Sequence, residues 1–116
     1  MELDISTTEE GRTLTLAGHG ELDYATLDEL TTELDKASRE DVDDVIVDLR
    51  KVTYIDSSGL GVLVGAHRRL KGEGRSLVLR VADPEMIKLL AITGLDQFFA
   101  IETPYAAPEG SASPDV

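Results

Sequence analysis

Cysteine and tryptophan are both missing from the 116 residues, and aromatic residues make up only 4% of them. Without cysteine there is neither a disulfide framework nor a thiolate metal site, which points to a reducing, intracellular setting. The two histidines, His19 and His67, stand far apart with no recognised ligand spacing, so no metal site and no cofactor are expected. No apolar run approaches the roughly 18 residues a membrane helix needs. The start, Met1-Glu-Leu-Asp-Ile5, lacks the basic segment and apolar core of a secretory signal, so the expectation is a cytoplasmic protein. Positive charge is also scarce, with 11 basic against 23 acidic side chains and a net charge of −12. Residues 1–58 hold 16 acidic and 5 basic groups, whereas residues 59–116 hold 7 and 6. Such a field repels phosphate backbones and anionic lipid, which argues against direct binding to nucleic acid or membrane, and it steers in a partner with a basic face.

What is present is enough for one domain. At this length, with 41% apolar residues, a chain buries about two-thirds of its unfolded surface. Leu3 and Ile5 alternate with polar residues, and after Glu9-Glu-Gly-Arg12 the run Thr13-Leu-Thr-Leu-Ala17 alternates again, the pattern of a β-hairpin. From Asp23 the period becomes helical: Leu27, Leu30, Leu34 and Ala37 share a face, and Asp23 can cap a helix running from about Tyr24 to Arg39. Val45-Ile-Val-Asp-Leu49 is nearly continuous in apolar residues, as expected of a parallel strand that is covered on both sides or central in its sheet. Leu60, Leu63, Val64, His67 and Leu70 mark a second helix whose basic end, Arg68-Arg-Leu-Lys71, suits the helix dipole before Gly72 and Gly74 stop it. A strand over Ser76–Val81 follows. Asp83-Pro84 starts a third helix, with Met86, Ile87 and Leu90 inward, that ends at Gly94. Leu95, Phe98, Phe99 and Ile101 should fold back on the sheet and supply both phenylalanines to the core. The expected fold is α/β, a small mixed, mostly parallel β-sheet with helices mainly on one face, over residues 1–103; residues 104–116 read as a flexible tail.

Few residues in this pattern are suited to catalysis. Neither histidine has a local partner for a serine nucleophile, and His67 lies on an apolar stripe, as a partly buried structural residue would. Gly59-Leu-Gly61-Val-Leu-Val-Gly65 follows a strand and opens a helix, as a dinucleotide fingerprint does, but its spacing is one residue too long; glycines 61 and 65 equally let the helix pack closely on the sheet. Asp48 ends a parallel strand, where a phospho-accepting receiver domain keeps its aspartate, yet the accompanying acidic pair and lysine are not in place. The remaining candidate is Asp56-Ser57-Ser58-Gly59. Locally, Asp56 or Ser57 caps the helix, worth about 1 kcal/mol. A serine in the first turn is also a seat for a phosphate, whose added charge of about −1.5 to −2 meets the positive helix end.

These segments together resemble the STAS domain, specifically the small bacterial anti-sigma-factor antagonists. The resemblance covers about residues 10–101. It rests on Gly20-Glu-Leu-Asp23, Val45-Ile-Val-Asp-Leu49, Val52-Thr-Tyr-Ile-Asp-Ser-Ser-Gly-Leu-Gly61, Gly74, Thr93-Gly-Leu95 and Phe98-Phe99 in that order. It implies a binding protein without enzymatic activity. The unmodified form would bind an anti-sigma factor that is also a serine kinase and so free a sigma factor. Phosphorylation of Ser58 would end binding, and a PP2C-type serine phosphatase would reverse it. Asp23 and Asp56 match positions that help place the phospho-acceptor, Ser57 the neighbour that is not normally modified, and Gly59 and Leu60 complete the expected docking segment. Two other readings stay open: a non-phosphorylated docking subunit of a signalling scaffold or lipid-transporter complex, and a nucleotide-binding domain built on the glycine loop.

Overall fold

Alternation of Leu14 and Leu16 with Thr13, Thr15 and Ala17 produces a strand with one apolar face, and that strand organises the sheet. The computed structural model describes residues 2–39 and 41–104. In chain order these form β1 (Leu3–Glu10), β2 (Thr13–Leu22), α1 (Leu27–Arg39), β3 (Asp44–Ile55), α2 (Ser57–Gly72), β4 (Ser76–Arg80) and α3 (Pro84–Ile92), then a 3₁₀ turn at Leu95–Gln97 and β5 (Ala100–Glu102). The sheet order is β1-β2-β3-β4-β5, with β1 antiparallel to β2 and every later pair parallel. Each crossover advances one strand in the same direction. Right-handed connections therefore stack all three helices on one face, as the sequence leads one to expect. Apart from Pro104, the expected tail lies outside the described residues.

The core lies between that face and the helices. Leu14, Leu16, Val45, Val47, Leu77 and Leu79, all 4% exposed or less, meet Leu30 and Leu34 of α1, Leu63 and Leu70 of α2, and Leu90 of α3. Of the two settings expected for β3, covered on both sides or central in its sheet, the structure has the second: β3 is central and parallel, and Ile46 on its other face is half-buried. Its register partners Thr15 and Val78 shield it in place of a second helix layer. Asp48 is on the same bare face, in register with Arg80, which is in register with Glu102. Arg50 grips its carboxylate at 2.8 Å and Arg80 approaches to 3.8 Å. Burial pushes the Asp48 carboxyl up, but the hydrogen bonds and charge of Arg50, with Arg80, outweigh this and hold it below the usual carboxylate range. Asp48 is thus part of a cross-strand charge ladder.

One helix start differs from expectation by a few residues. Asp23 caps a turn before the helix: its Oδ1 accepts the N–H groups of Ala25 and Thr26 at 3.0 and 3.1 Å, while the Thr26 hydroxyl donates to the Glu21 carbonyl at 2.7 Å. That turn occupies residues 24–26, with Thr26 buried and Tyr24 and Ala25 exposed, so α1 begins at Leu27. α2 begins at Ser57 with Asp56 as its cap, as the sequence predicts. Asp83 and Pro84 start α3 as the sequence predicts, and Gly94, at φ +77°, ends it. β5 is not legible as a strand, being three residues long.

Only one phenylalanine is fully buried. Phe99 is 4% exposed, whereas Phe98 is half-buried against the His67 ring, with centroids 4.6 Å apart. His67 also meets Phe99 edge-on, so it ties α2 to the C-terminal segment, and its buried Nδ1 has no hydrogen-bond partner among the described residues. Burial, assisted by the charge of Lys71, lowers the His67 pKa from its usual 6.5. A lowered pKa means that the unfolded chain takes up this proton first. His67 therefore contributes nothing adverse above about pH 6.5, and stability is lost as pH falls from there through the folded-state pKa. Chemical denaturation of the wild type and His67→Leu at stepped pH should show the wild type losing more stability than the variant below about pH 6.5; equal losses would contradict this reading.

Candidate functional site

Parallel pairing of β2 with β3 places Leu22 beside Ile55, so the next residue of each strand, Asp23 and Asp56, emerges at the same sheet edge. The C-terminal ends of parallel strands are where ligand sites collect in α/β sheets. The Asp56 N–H donates to the Leu22 carbonyl at 3.2 Å and locks the two loops together. The Asp56 side chain then does three things. Its Oδ1 accepts the Gly59 N–H at 3.0 Å and the Ser58 hydroxyl at 2.6 Å, and its Oδ2 accepts the Tyr24 N–H at 3.0 Å. The Ser58 hydroxyl, followed by the Gly59 N–H, holds this carboxyl below its usual range, with the N–H groups of Tyr24 and Ser58 adding to the effect.

The structure brings together all six residues expected here, although with different exposure. Ser57 is exposed, Ser58 and Asp56 are half-exposed, Leu60 is half-buried, and Asp23 and Gly59 are buried. Gly59 packs α2 against the sheet. A Cβ there would lie 2.7 Å from Leu22 Cγ and 3.0 Å from the Leu22 carbonyl oxygen. Gly20, in the neighbouring motif, has φ +129° and would drive a Cβ to 2.1 Å from the Glu2 carbonyl oxygen, at a register shift in β2. By contrast, Gly61 and Gly65 are not used for sheet packing, contrary to expectation: both are exposed, and a Cβ on either meets nothing within 4 Å. Gly61→Ala and Gly65→Ala should therefore each raise stability, by about 0.5–1 kcal/mol from helix propensity, measured by urea unfolding.

Sequence reading missed Tyr24 and Tyr54. They are 82% and 50% exposed and flank an open hollow of about 430 Å³ lined also by Glu21, Asp23, Ala25 and Asp56. Two exposed tyrosines at one edge are a strong feature in a chain so poor in aromatics, and tyrosine is enriched where proteins dock. Local spacing gave no signal for Tyr24, which lies three residues before Leu27 in line with the stripe; the turn over residues 24–26 is what takes it off the helix.

Asp56 also bears on the glycine loop. A fingerprint seats pyrophosphate on free N–H groups at a helix N-terminus, but here the chain's own carboxylate takes them. Among the described residues no group of three or more His, Cys, Asp or Glu could hold a metal ion. Nor is any described helix long and apolar enough to cross a membrane.

A sequence profile of the STAS domain matches residues 4–107. This chain belongs to the STAS domain family. Among STAS proteins it is 34% identical over 95 residues to the anti-sigma-B factor antagonist of Staphylococcus aureus strain NCTC 8325, a match spanning 82% of this chain and 88% of that protein. It is 28% identical over 102 residues to the anti-sigma F factor antagonist of Paenibacillus polymyxa, covering 87% of each. The STAS fold is shared with an anti-sigma factor antagonist of Mycobacterium paratuberculosis at a TM-score of 0.80, with 20% identity over 87% of this chain and 86% of that one. SpoIIAA, solved in unphosphorylated form, superposes at a TM-score of 0.68 with 23% identity over 91% of this chain and 92% of its own. The same protein, described as a Bacillus cell fate determinant, is known in phosphorylated form as well; it too gives 0.68 and 23%, over 87% and 93% of the two chains.

Proposed function

We propose that this STAS domain is an anti-sigma-factor antagonist switched by phosphorylation of Ser58. Unmodified, it docks through the edge that carries Asp23, Asp56, Ser57, Ser58 and Leu60 onto an anti-sigma factor with serine kinase activity, and a sigma factor is released. The kinase phosphorylates Ser58, the complex parts, and a PP2C-type phosphatase restores the hydroxyl. The domain itself carries out no chemistry. The observation that carries this reading is the half-exposed Ser58 hydroxyl, whose proton is directed to Asp56, a residue that itself lines the hollow flanked by two exposed tyrosines. That leaves the oxygen's lone pairs free to receive a phosphoryl group. The names of the curated relatives support the partner class, and the phosphorylated form of SpoIIAA supports modification as a property compatible with this fold.

The energetics are sufficient. A serine offered to a kinase faces the nucleotide's phosphates and the acidic groups that hold its metal ion, so a phosphate on Ser58 meets like charge on both sides of the interface. Such juxtaposition in a desolvated contact costs several kcal/mol, and each 1.4 kcal/mol is tenfold in Kd. No refolding is needed.

The test is affinity capture from native cells on Ser58→Ala, with mass spectrometry of the native chain. Retention of a protein with a histidine-kinase-like ATPase domain, and a phosphorylated Ser58 in some growth states, is expected. Absence of phosphate in every growth state, with a scaffold or transporter retained in its place, would overturn the proposal in favour of a constant docking subunit.

A further inference from the structure

We propose that Asp56 couples the state of Ser58 to the exposed Tyr24, so that phosphorylation alters the shape of the docking edge as well as its charge. This rests on the proposal that Ser58 is the modified residue. Asp56 divides its two oxygens between the two neighbours: Oδ1 accepts the Ser58 hydroxyl at 2.6 Å, and Oδ2 accepts the Tyr24 N–H at 3.0 Å. Tyr24 is the most exposed large apolar side chain among the described residues, and its loop is held to α2 by that second bond.

A phosphate ester on Ser58 removes the proton that Asp56 accepts and puts an anion in its place. The helix N-terminus is ordinarily a favourable seat for such an anion, but Asp56 already occupies it through the Ser58 and Gly59 N–H groups. Phosphate and carboxylate therefore compete for one set of donors. The other ionisable groups lining the adjoining hollow are Glu21, Asp23, Tyr24 and Tyr54, with no lysine, arginine or histidine among them. On α2 the next ionisable side chain after Ser58 is His67, about two and a half turns away. Two outcomes relieve the crowding: the phosphate retains its second proton to a higher pH, and the Asp56 carboxylate swings away and gives up the Tyr24 N–H.

The experiment uses the full chain with phosphoserine installed at position 58 during translation, so it needs no kinase. Phosphorus and amide NMR are recorded against pH and compared with the unmodified chain. The second phosphate pKa should lie at least half a unit above the value of about 6 usual for a phosphorylated side chain. The Tyr24 amide should shift and exchange with solvent at least roughly tenfold faster, while the amides of β4 and α3 stay in place. In Asp56→Asn carrying the same phosphate, the pKa should return toward the ordinary value. A Tyr24 amide that is unmoved by phosphate overturns the proposal whatever the pKa, and that comparison requires no variant to fold. This result would leave the switch resting on charge alone, whereas a coupled Tyr24 in a chain that cells never phosphorylate would refute the functional proposal and not the coupling.

Discussion

Ser58→Glu is expected to bind the anti-sigma partner at least roughly 100-fold more weakly than the unmodified chain, while Ser58→Ala stays within a few-fold of it. Alanine removes one hydrogen bond to Asp56 but leaves the Gly59 N–H on the same oxygen, so the cap of α2 survives. Glutamate adds a charge next to Asp56 and the hollow lined by Glu21 and Asp23, a hollow with no lysine, arginine or histidine in its lining. A loss of about 2.7 kcal/mol gives the stated factor, and like-charge contact in an interface reaches that size. Isothermal calorimetry with the partner captured on Ser58→Ala measures both variants. Equal affinities would end the idea that charge at this position governs docking. The difference should shrink as salt rises, since the hydroxyl is half-exposed and its surroundings remain partly solvated.

Gly59→Ala is expected to cost about 2 kcal/mol of stability, lowering Tm by roughly 10 °C. The added Cβ would lie 2.7 Å from Leu22 Cγ, 3.0 Å from the Leu22 carbonyl oxygen and 3.1 Å from Ile55 Cγ1. Leu22 is 1% exposed and part of the core, and its carbonyl accepts the Asp56 N–H, so neither can yield without disturbing the site. Alanine's helix preference over glycine, about 1 kcal/mol, returns only part of the loss. The sign is opposite to that expected two residues on, at Gly61, where a Cβ meets nothing. Thermal unfolding of the two variants side by side checks both. A stabilised Gly59→Ala would mean that α2 does not seat on β2 and β3 as described.

Residue periodicity carried much of this architecture. The alternation of β2, the helical stripe from Leu27 to Ala37 and the Asp83-Pro84 start are local patterns, and each matched its element because the apolar face it exposes must be buried against something. The cap at Asp56 and the serine pair beside it were legible as a local helix-start signal, while the choice of Ser58 within that pair came from the family resemblance. Glycine roles were not. Gly59, Gly61 and Gly65 look alike in a helix-opening run, and only the neighbour facing each position separates the one that must be glycine from the two that need not be. Phe98 and Phe99 were likewise indistinguishable by pattern, yet Phe99 is buried in the core while Phe98 is half-buried against the His67 ring of α2.

The order of residues along the chain was enough to establish an α/β sheet, its helix-bearing face and a capped serine at the head of a helix, because these depend on spacing between near neighbours. The meeting of Asp23, Tyr24 and Tyr54 with Asp56 and Ser58 depends on the parallel register that sets Leu22 beside Ile55. Residues about 30 positions apart become hydrogen-bonded partners through that pairing alone. Short-range periodicity carries no record of which strands pair, so the shared edge, and with it the docking surface, becomes visible once the sheet has formed.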